Sequence, residues 1–186
     1  MTDAPSEPLS GQPKPRRRWF DLGSLPRAER TLVLACILFW SVLSFLFFSH
    51  FVLQAGEVEG DSMVPTMQDG QRYIIWRLLT LFRAPERGEI ICFRMPGEEA
   101  YTVKRVIALP GEVVQVRGGR VHVGGVLLEE PYLVSGMRTR PGPGLGPMPY
   151  RVPPDWFIVL GDNRDYSSDS RSFGPIPREW IVGVVK

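Results

Sequence analysis

Apolar positions fall into two regimes along the 186 residues, one continuous and one alternating. From Thr31 to Leu53 the run "TLVLACILFWSVLSFLFFSHFVL" contains no Lys, Arg, Asp or Glu. At 1.5 Å rise per residue, a helix of that length crosses a hydrocarbon layer of about 30 Å with some tilt. The run predicts one N-terminal transmembrane helix, with the anchor at residues 29–53. A cleaved secretory signal is the competing reading, but its apolar region is about 7–15 residues and ends in a small-x-small site, so the length favours an uncleaved anchor. After Leu53 the pattern changes. "QRYIIW", "GEIICFRM", "YTVKRVIAL", "GEVVQV", "RVHVGGVLL", "DWFIVL" and "WIVGVV" are short runs rich in Val and Ile, punctuated by Gly and Pro. They predict a mainly β domain over residues 54–186.

Within that domain "VVQVRGGRVHV" reads as a hairpin turning at Gly118-Gly119, with Val114 and Val116 facing Val121 and Val123 across the pair. "RPGPGLGPMPYRVPP", Arg140 to Pro154, is too rich in Gly and Pro for a regular element and reads as an exposed loop. Hairpin and loop together predict a small insertion into the main sheet at about residues 112–154. "YIIWRLLTLF", Tyr73 to Phe82, carries an excess of large apolar residues that fits either a bilayer interface or a strand followed by a half-buried loop.

Charge adds orientation. Residues 1–28 are polar and rich in Pro and Arg, a composition that cannot bury enough apolar surface to fold alone, and they predict a disordered arm. Lys14, Arg16, Arg17, Arg18, Arg27 and Arg30 precede or open the apolar run, whereas Glu57, Glu59 and Asp61 follow it. The positive-inside bias then predicts a single-pass protein of the cell membrane, its N-terminus in the cytoplasm and its β domain extracytoplasmic. Overall, Lys+Arg 22 against Asp+Glu 20 gives a net charge of +2, with the signs interspersed beyond the arm, so no nucleic-acid surface is expected. The two cysteines, Cys36 in the apolar run and Cys92 in "EIICFRMP", do not suit a disulfide scaffold. The two histidines, His50 and His122, lie in unrelated surroundings, and no cofactor or metal is expected.

Three segments could carry chemistry. "GDSMVPT", Gly60 to Thr66, places Ser62 nine residues after Leu53, so even an extended connector keeps it within roughly 30 Å of a membrane surface. Ser62 is either an ordinary turn residue or a nucleophile. Histidine is a poor partner for it, since His50 falls at the end of the apolar run and His122 in a hairpin strand. A lysine stripped of water can act instead, because burial disfavours the ammonium form. Lys104, in "YTVKRVIALPGE", meets that need if its strand is committed to a core. Strand alternation sends Lys104 and Arg105 to opposite faces, so one of the two is expected to be the buried cation, with two solvated charges as the alternative. "GDNRDYSSDSRSFGPI", Gly161 to Ile176, follows an apolar strand. It is either a plain polar loop or a rigid one in which Asp162, Arg164, Asp169 and Arg171 satisfy one another or a neighbouring strand.

Taken in order, "GDSMVPT", "RGEIICFR", "KRVIALPGE" and "GDNRDYSSDSRSFGPI" behind an N-terminal anchor resemble the boxes of the bacterial type I signal peptidases, membrane-anchored serine proteases with a Ser-Lys dyad. The resemblance implies a fold of coiled β-sheets, Ser62 as nucleophile, Lys104 as general base, and Ser167 as a hydroxyl that orients the lysine amine. It implies supporting roles for Arg105, Asp162, Asp169 and Arg171. The enterobacterial form has a serine where this chain has Gly60, so the oxyanion would rest on the Ser62 N–H and a backbone donor at Gly60. Val58, Met63, Met67 and Val103 match the family's substrate-pocket positions, with plain core packing an equal alternative. The implied substrates are exported preproteins whose signal peptides end in Ala-x-Ala-like sites, and the implied surroundings are the bilayer and the secretion translocon. A catalytically silent, membrane-tethered β domain that binds exported chains, or another Ser-Lys processing peptidase, remains as an alternative reading.

Overall fold

A computed structural model describes residues 26–51 and 53–186, so the expected arm lies outside the described residues up to residue 25. The chain divides into two units, residues 1–44 and 45–186. Helix α1 is Arg27–Phe51, and its stretch Arg27–Phe47, with a mean hydropathy of 2.0, is long and apolar enough to cross a membrane. It begins two residues before the expected boundary because the backbone, not hydropathy, sets it. The Pro26 carbonyl accepts the first helical bond from the Arg30 N–H at 3.0 Å, and Glu29 sits where the helix dipole favours an acid. The expected end at residue 53 also shifts, since the helix stops at Phe51 and Leu53 opens strand β1, Leu53–Glu57.

Strands β2 (Arg72–Trp76), β3 (Ile90–Phe93) and β4 (Thr102–Ala108) follow, with a short helix α2 (Arg77–Phe82) after β2. β5 (Val113–Arg117), β6 (Arg120–Val123), β7 (Val126–Leu127) and β8 (Tyr150–Arg151) come next. β9 (Trp156–Leu160), helix α3 (Ser170–Phe173), β10 (Ile176–Pro177), a 3₁₀ turn at Arg178–Trp180 and β11 (Ile181–Val185) complete the described chain. A seven-stranded sheet has the order β1-β2-β11-β3-β4-β9-β10, and a four-stranded sheet the order β7-β6-β5-β8. The architecture is mainly β, as the alternating runs predict.

The hairpin forms in the expected register, Val114 opposite Val123 and Val116 opposite Val121, with Gly118 and Gly119 both at positive φ. Both turn positions therefore require a backbone that glycine adopts without strain. The run "RVHVGGVLL" is two strands, split at another positive-φ pair, Gly124-Gly125. The segment read as an exposed loop differs more. Tyr150–Arg151 pairs with β5, and Leu145 and Val152 are buried in the cluster that holds Val114, Val116, Val121 and Ile158. Gly142 and Gly144 make this possible. A Cβ on either would overlap the backbone of Arg171 or Gly174, so only glycine lets the loop lie against α3. Their content of Gly and Pro reads as exposure, but it serves close backbone contact.

β4 lies between β3 and β9, and all its residues after Thr102 are buried. Val103 belongs to one apolar cluster with Met63, Tyr73 and Cys92, Val106 to a second with Phe93 and Phe157, and Ile107 and Ala108 to a third with Leu145 and Leu160. A strand covered on every side has no solvated face to offer a charge. Lys104 and Arg105 are accordingly both buried, at 5% and 9% exposure, and the expectation of one buried cation is corrected to two.

Candidate active site

Ser62 sits in the connection from β1 to β2, in a turn entered through Gly60 at φ +83°. The buried Met63 pins the turn to the apolar cluster beneath β4, and the Met67 N–H donates to the Met63 carbonyl at 3.0 Å. Asn163 fixes the other side, its N–H donating to the Ser62 carbonyl at 3.0 Å and its Nδ2 to the Asp61 carbonyl at 3.1 Å. The turn that carries the hydroxyl is thus fixed on both sides before Lys104 meets it.

Lys104 comes to it from β4. Its Nζ lies 2.8 Å from Ser62 Oγ and 3.0 Å from the Val103 carbonyl, both in hydrogen-bonding range. Neither partner is a carboxylate. Burial pushes the amine down from its usual range to about 8, against the opposing pull of Asp169 and Asp162. A buried lysine with a hydroxyl at that distance and no carboxylate on its amine has the geometry of a general base beside a nucleophile.

The residues of the 161–171 segment are wired differently. Arg105 grips Asp162 through both oxygens, Nε to Oδ1 at 2.8 Å and Nη2 to Oδ2 at 2.6 Å, and its Nη1 donates to the Gly88 carbonyl at 2.7 Å. Thr66 completes the cluster by donating to Asp162 Oδ2 at 2.5 Å. Arg171 grips Asp169 in the same two-pronged way at 2.8 and 2.9 Å, and Asp169 also caps α3 and accepts from the Gly161 N–H. Arg164 donates to the Gly161 carbonyl at 2.9 Å, to Thr139 and to Glu130. Each buried guanidinium therefore has a carboxylate, the arrangement that makes burying the charge tolerable.

Two expected roles change. Ser167 is implied to hydrogen-bond the lysine, but the amine's partners are Ser62 and Val103, and the Ser167 hydroxyl is buried with no hydrogen-bond partner among the described residues. It lies against Gly161, where any side chain would collide with both the Ser167 hydroxyl and the Ser62 carbonyl. Ser62 and Ser167 are neighbours across Gly161, but the bond from Ser167 to the amine is not formed. Gly60, implied as an oxyanion donor, instead gives its N–H to Asp69 Oδ1 at 2.7 Å.

A cleft of about 340 Å³ opens over Ser62 and Lys104, lined also by Val58, Met63, Val103 and Tyr73 among others. Met67 is buried in the same apolar cluster but does not line the cleft. Tyr73 forms part of the wall because Gly56 has no side chain; a Cβ there would lie 2.6 Å from the ring. Burial pushes the Cys92 thiol in the same cluster up to about 12, which leaves it unreactive. Sequence reasoning missed Thr66, Asn163, Glu130, Tyr132 and Thr139. Thr66 stands inside a quoted box and carried a signal. The last three sit in irregular segments with no periodicity to mark them.

The family model described as "Signal peptidase, peptidase S26" matches residues 30–186. A signal peptidase I of Leptolyngbya laminosa is 36% identical over 96% of this chain and 83% of its own length. A probable signal peptidase I-2 of Synechocystis is 36% identical over 91% of this chain and 72% of its own length. Signal peptidase I of Bacillus amyloliquefaciens is 34% identical over 76% of each chain. A solved signal peptidase I from Enterococcus faecalis aligns with 56% of this chain and 98% of that chain, at 30% identity and a TM-score of 0.45.

Proposed function

The chain belongs to the signal peptidase family, peptidase S26, and is a serine endopeptidase; from that premise we propose that it removes signal peptides from exported preproteins with Ser62 as nucleophile and Lys104 as general base. The observation that carries this reading is the 2.8 Å separation of Lys104 Nζ and Ser62 Oγ at the floor of an open cleft. In the neutral form, the amine takes the Ser62 proton as Oγ attacks the scissile carbonyl, giving a tetrahedral oxyanion and an ammonium. With Gly60 engaged by Asp69, the Ser62 backbone N–H is the donor the turn offers the oxyanion. The ammonium then protonates the departing amine, the acyl-enzyme forms, and water activated by the regenerated amine hydrolyses it.

Small apolar walls at Val58, Met63 and Val103 support selection of Ala-x-Ala-like ends, because a shallow site rejects bulky side chains by overlap. The reading places α1 across the cell membrane, with its basic N-terminal side in the cytoplasm and the cleft on the exported side, near the translocon that delivers preproteins. Cleavage of a preprotein by the full chain in detergent micelles tests it. Ser62→Ala and Lys104→Ala are each expected to lower kcat by about 10³-fold or more. Equal activity in all three chains would end the dyad reading, and binding without cleavage by the wild type would favour the silent tethered domain.

A further inference from the structure

We propose that Tyr132 is a positioning residue for the Ser62-Lys104 pair, acting through Arg105; this deepens the reading above and rests on it. Tyr132 lies in the turn after β7, on the segment that includes the small sheet, and its ring is partly buried against the apolar cluster of that sheet. The guanidinium carbon of Arg105 stands 4.1 Å from the ring centroid, within the range of a cation–π contact. The other sides of that guanidinium are bound to Asp162 and to the Gly88 carbonyl. Tyr132 therefore covers one face of the Arg105 guanidinium, whose N–H edges are taken by its polar partners.

The same segment holds a second arginine. The Tyr132 hydroxyl donates to Glu130 Oε1 at 2.9 Å, and Glu130 pairs with Arg164, whose Nε donates to the Gly161 carbonyl. Gly161 lies against the Ser62 carbonyl. Glu130, Tyr132 and Thr139 thus reach out of the insertion to the two arginines that flank Gly161-Asp162.

The link to chemistry is electrostatic. Asp162 and Asp169 both favour the ammonium form of Lys104, and each is itself ion-paired, Asp162 with Arg105 and Asp169 with Arg171. Glu57, Glu59 and Glu99 line the cleft from the β1 side and the turn before β4, and Tyr73 and Tyr101 add phenol side chains. On β3, Cys92 pairs with Val103 and carries no charge. Arg105 is the cation next to Lys104 in sequence, and it sits on the carboxylate that the amine senses. Loosening Arg105 weakens its neutralisation of Asp162, which raises the pH at which Lys104 loses its proton.

The test is the pH profile of peptide cleavage by the full chain in micelles, from about pH 6 to about pH 10, for Tyr132→Met, Tyr132→Leu and Tyr132→Phe. The ringless variants are expected to move the midpoint up by about half a unit or more, to lower kcat near pH 7 about threefold or more, and to leave KM within about twofold. Tyr132→Phe keeps the ring and is expected to restore the wild-type midpoint. A wild-type midpoint in a folded ringless variant, or a loss expressed in KM alone, would overturn the proposal. So would failure of both ringless chains to fold while the Phe chain folds, since that assigns Tyr132 a purely structural role. Activity persisting in Lys104→Ala sinks the dyad reading itself, whereas unmoved profiles in the Tyr132 series with an inactive Lys104→Ala sink only the positioning role.

Discussion

Lys104 and Arg105 are adjacent in sequence, both buried on β4, yet their surroundings treat the two cations in opposite ways. Arg105 receives a carboxylate in two-pronged contact, a carbonyl and an aromatic face, so its charge is matched at every side. Lys104 receives a hydroxyl and a carbonyl, which accept hydrogen bonds but supply no countercharge. Burial alone does not decide protonation. The presence of a countercharge decides with it, and a guanidinium is the right residue for the matched site. An amine that can let its proton go suits the unmatched one.

Exchanging the two roles gives the largest expected effect. Lys104→Arg keeps a cation in place but cannot release a proton, so kcat for preprotein cleavage should fall by about 10³-fold or more. Retained activity would show that the group need not deprotonate. Asp162→Asn instead strips the countercharge from Arg105 and leaves a buried guanidinium unmatched, which should cost about 3–5 kcal/mol in a denaturant melt of the full chain. The same change removes one of the two carboxylates that favour the ammonium, so any residual activity should show a lower midpoint.

The contrast also has a pH signature. With the amine pushed down to about 8, the neutral fraction falls about tenfold for each unit below that value, so kcat/KM should rise to a plateau above about pH 8. A plateau beginning below pH 6 would contradict the assignment of Lys104 as the base. Stability should follow the same group. Between about 8 and 10.5 the unfolded chain binds the lysine proton and the folded chain does not, so stability rises with pH across that window, and Lys104→Met should flatten the rise. The smallest effect belongs to Thr66→Val. It removes one hydroxyl from Asp162 and one acceptor from Arg105 and should cost about 1–2 kcal/mol.

Periodicity made much of the fold legible. The Val114 to Val123 pairing follows from alternation around two glycines, and most strands of both sheets stand where Val and Ile recur. It failed where one element is covered on both faces. Alternation assigned Lys104 and Arg105 to different fates, but the clusters around Val103, Val106 and Ile107 leave β4 no wet side. β1 escaped notice because "LQAGE" has almost no apolar alternation, and pairing with β2 across five positions holds it. At the site, Ser62 and Lys104 could be singled out by chemistry and resemblance. Tyr132 and Glu130 could not, since their partners lie 27 and 34 positions away in sequence and only the folded chain brings them together.

The strand order carries a consequence for how the enzyme comes into being. β11, the latest of the described strands in sequence, lies between β2 and β3, so it joins the strand pair that flanks Ser62 to the pair that carries Lys104. A ribosome will have made Ser62 and Lys104 long before it makes Ile181–Val185. Until that strand slots in, the two reactive groups belong to separate halves of an unfinished sheet. Pairing of β11 with β2 on one side and β3 on the other is thus the step that closes the sheet around the two groups.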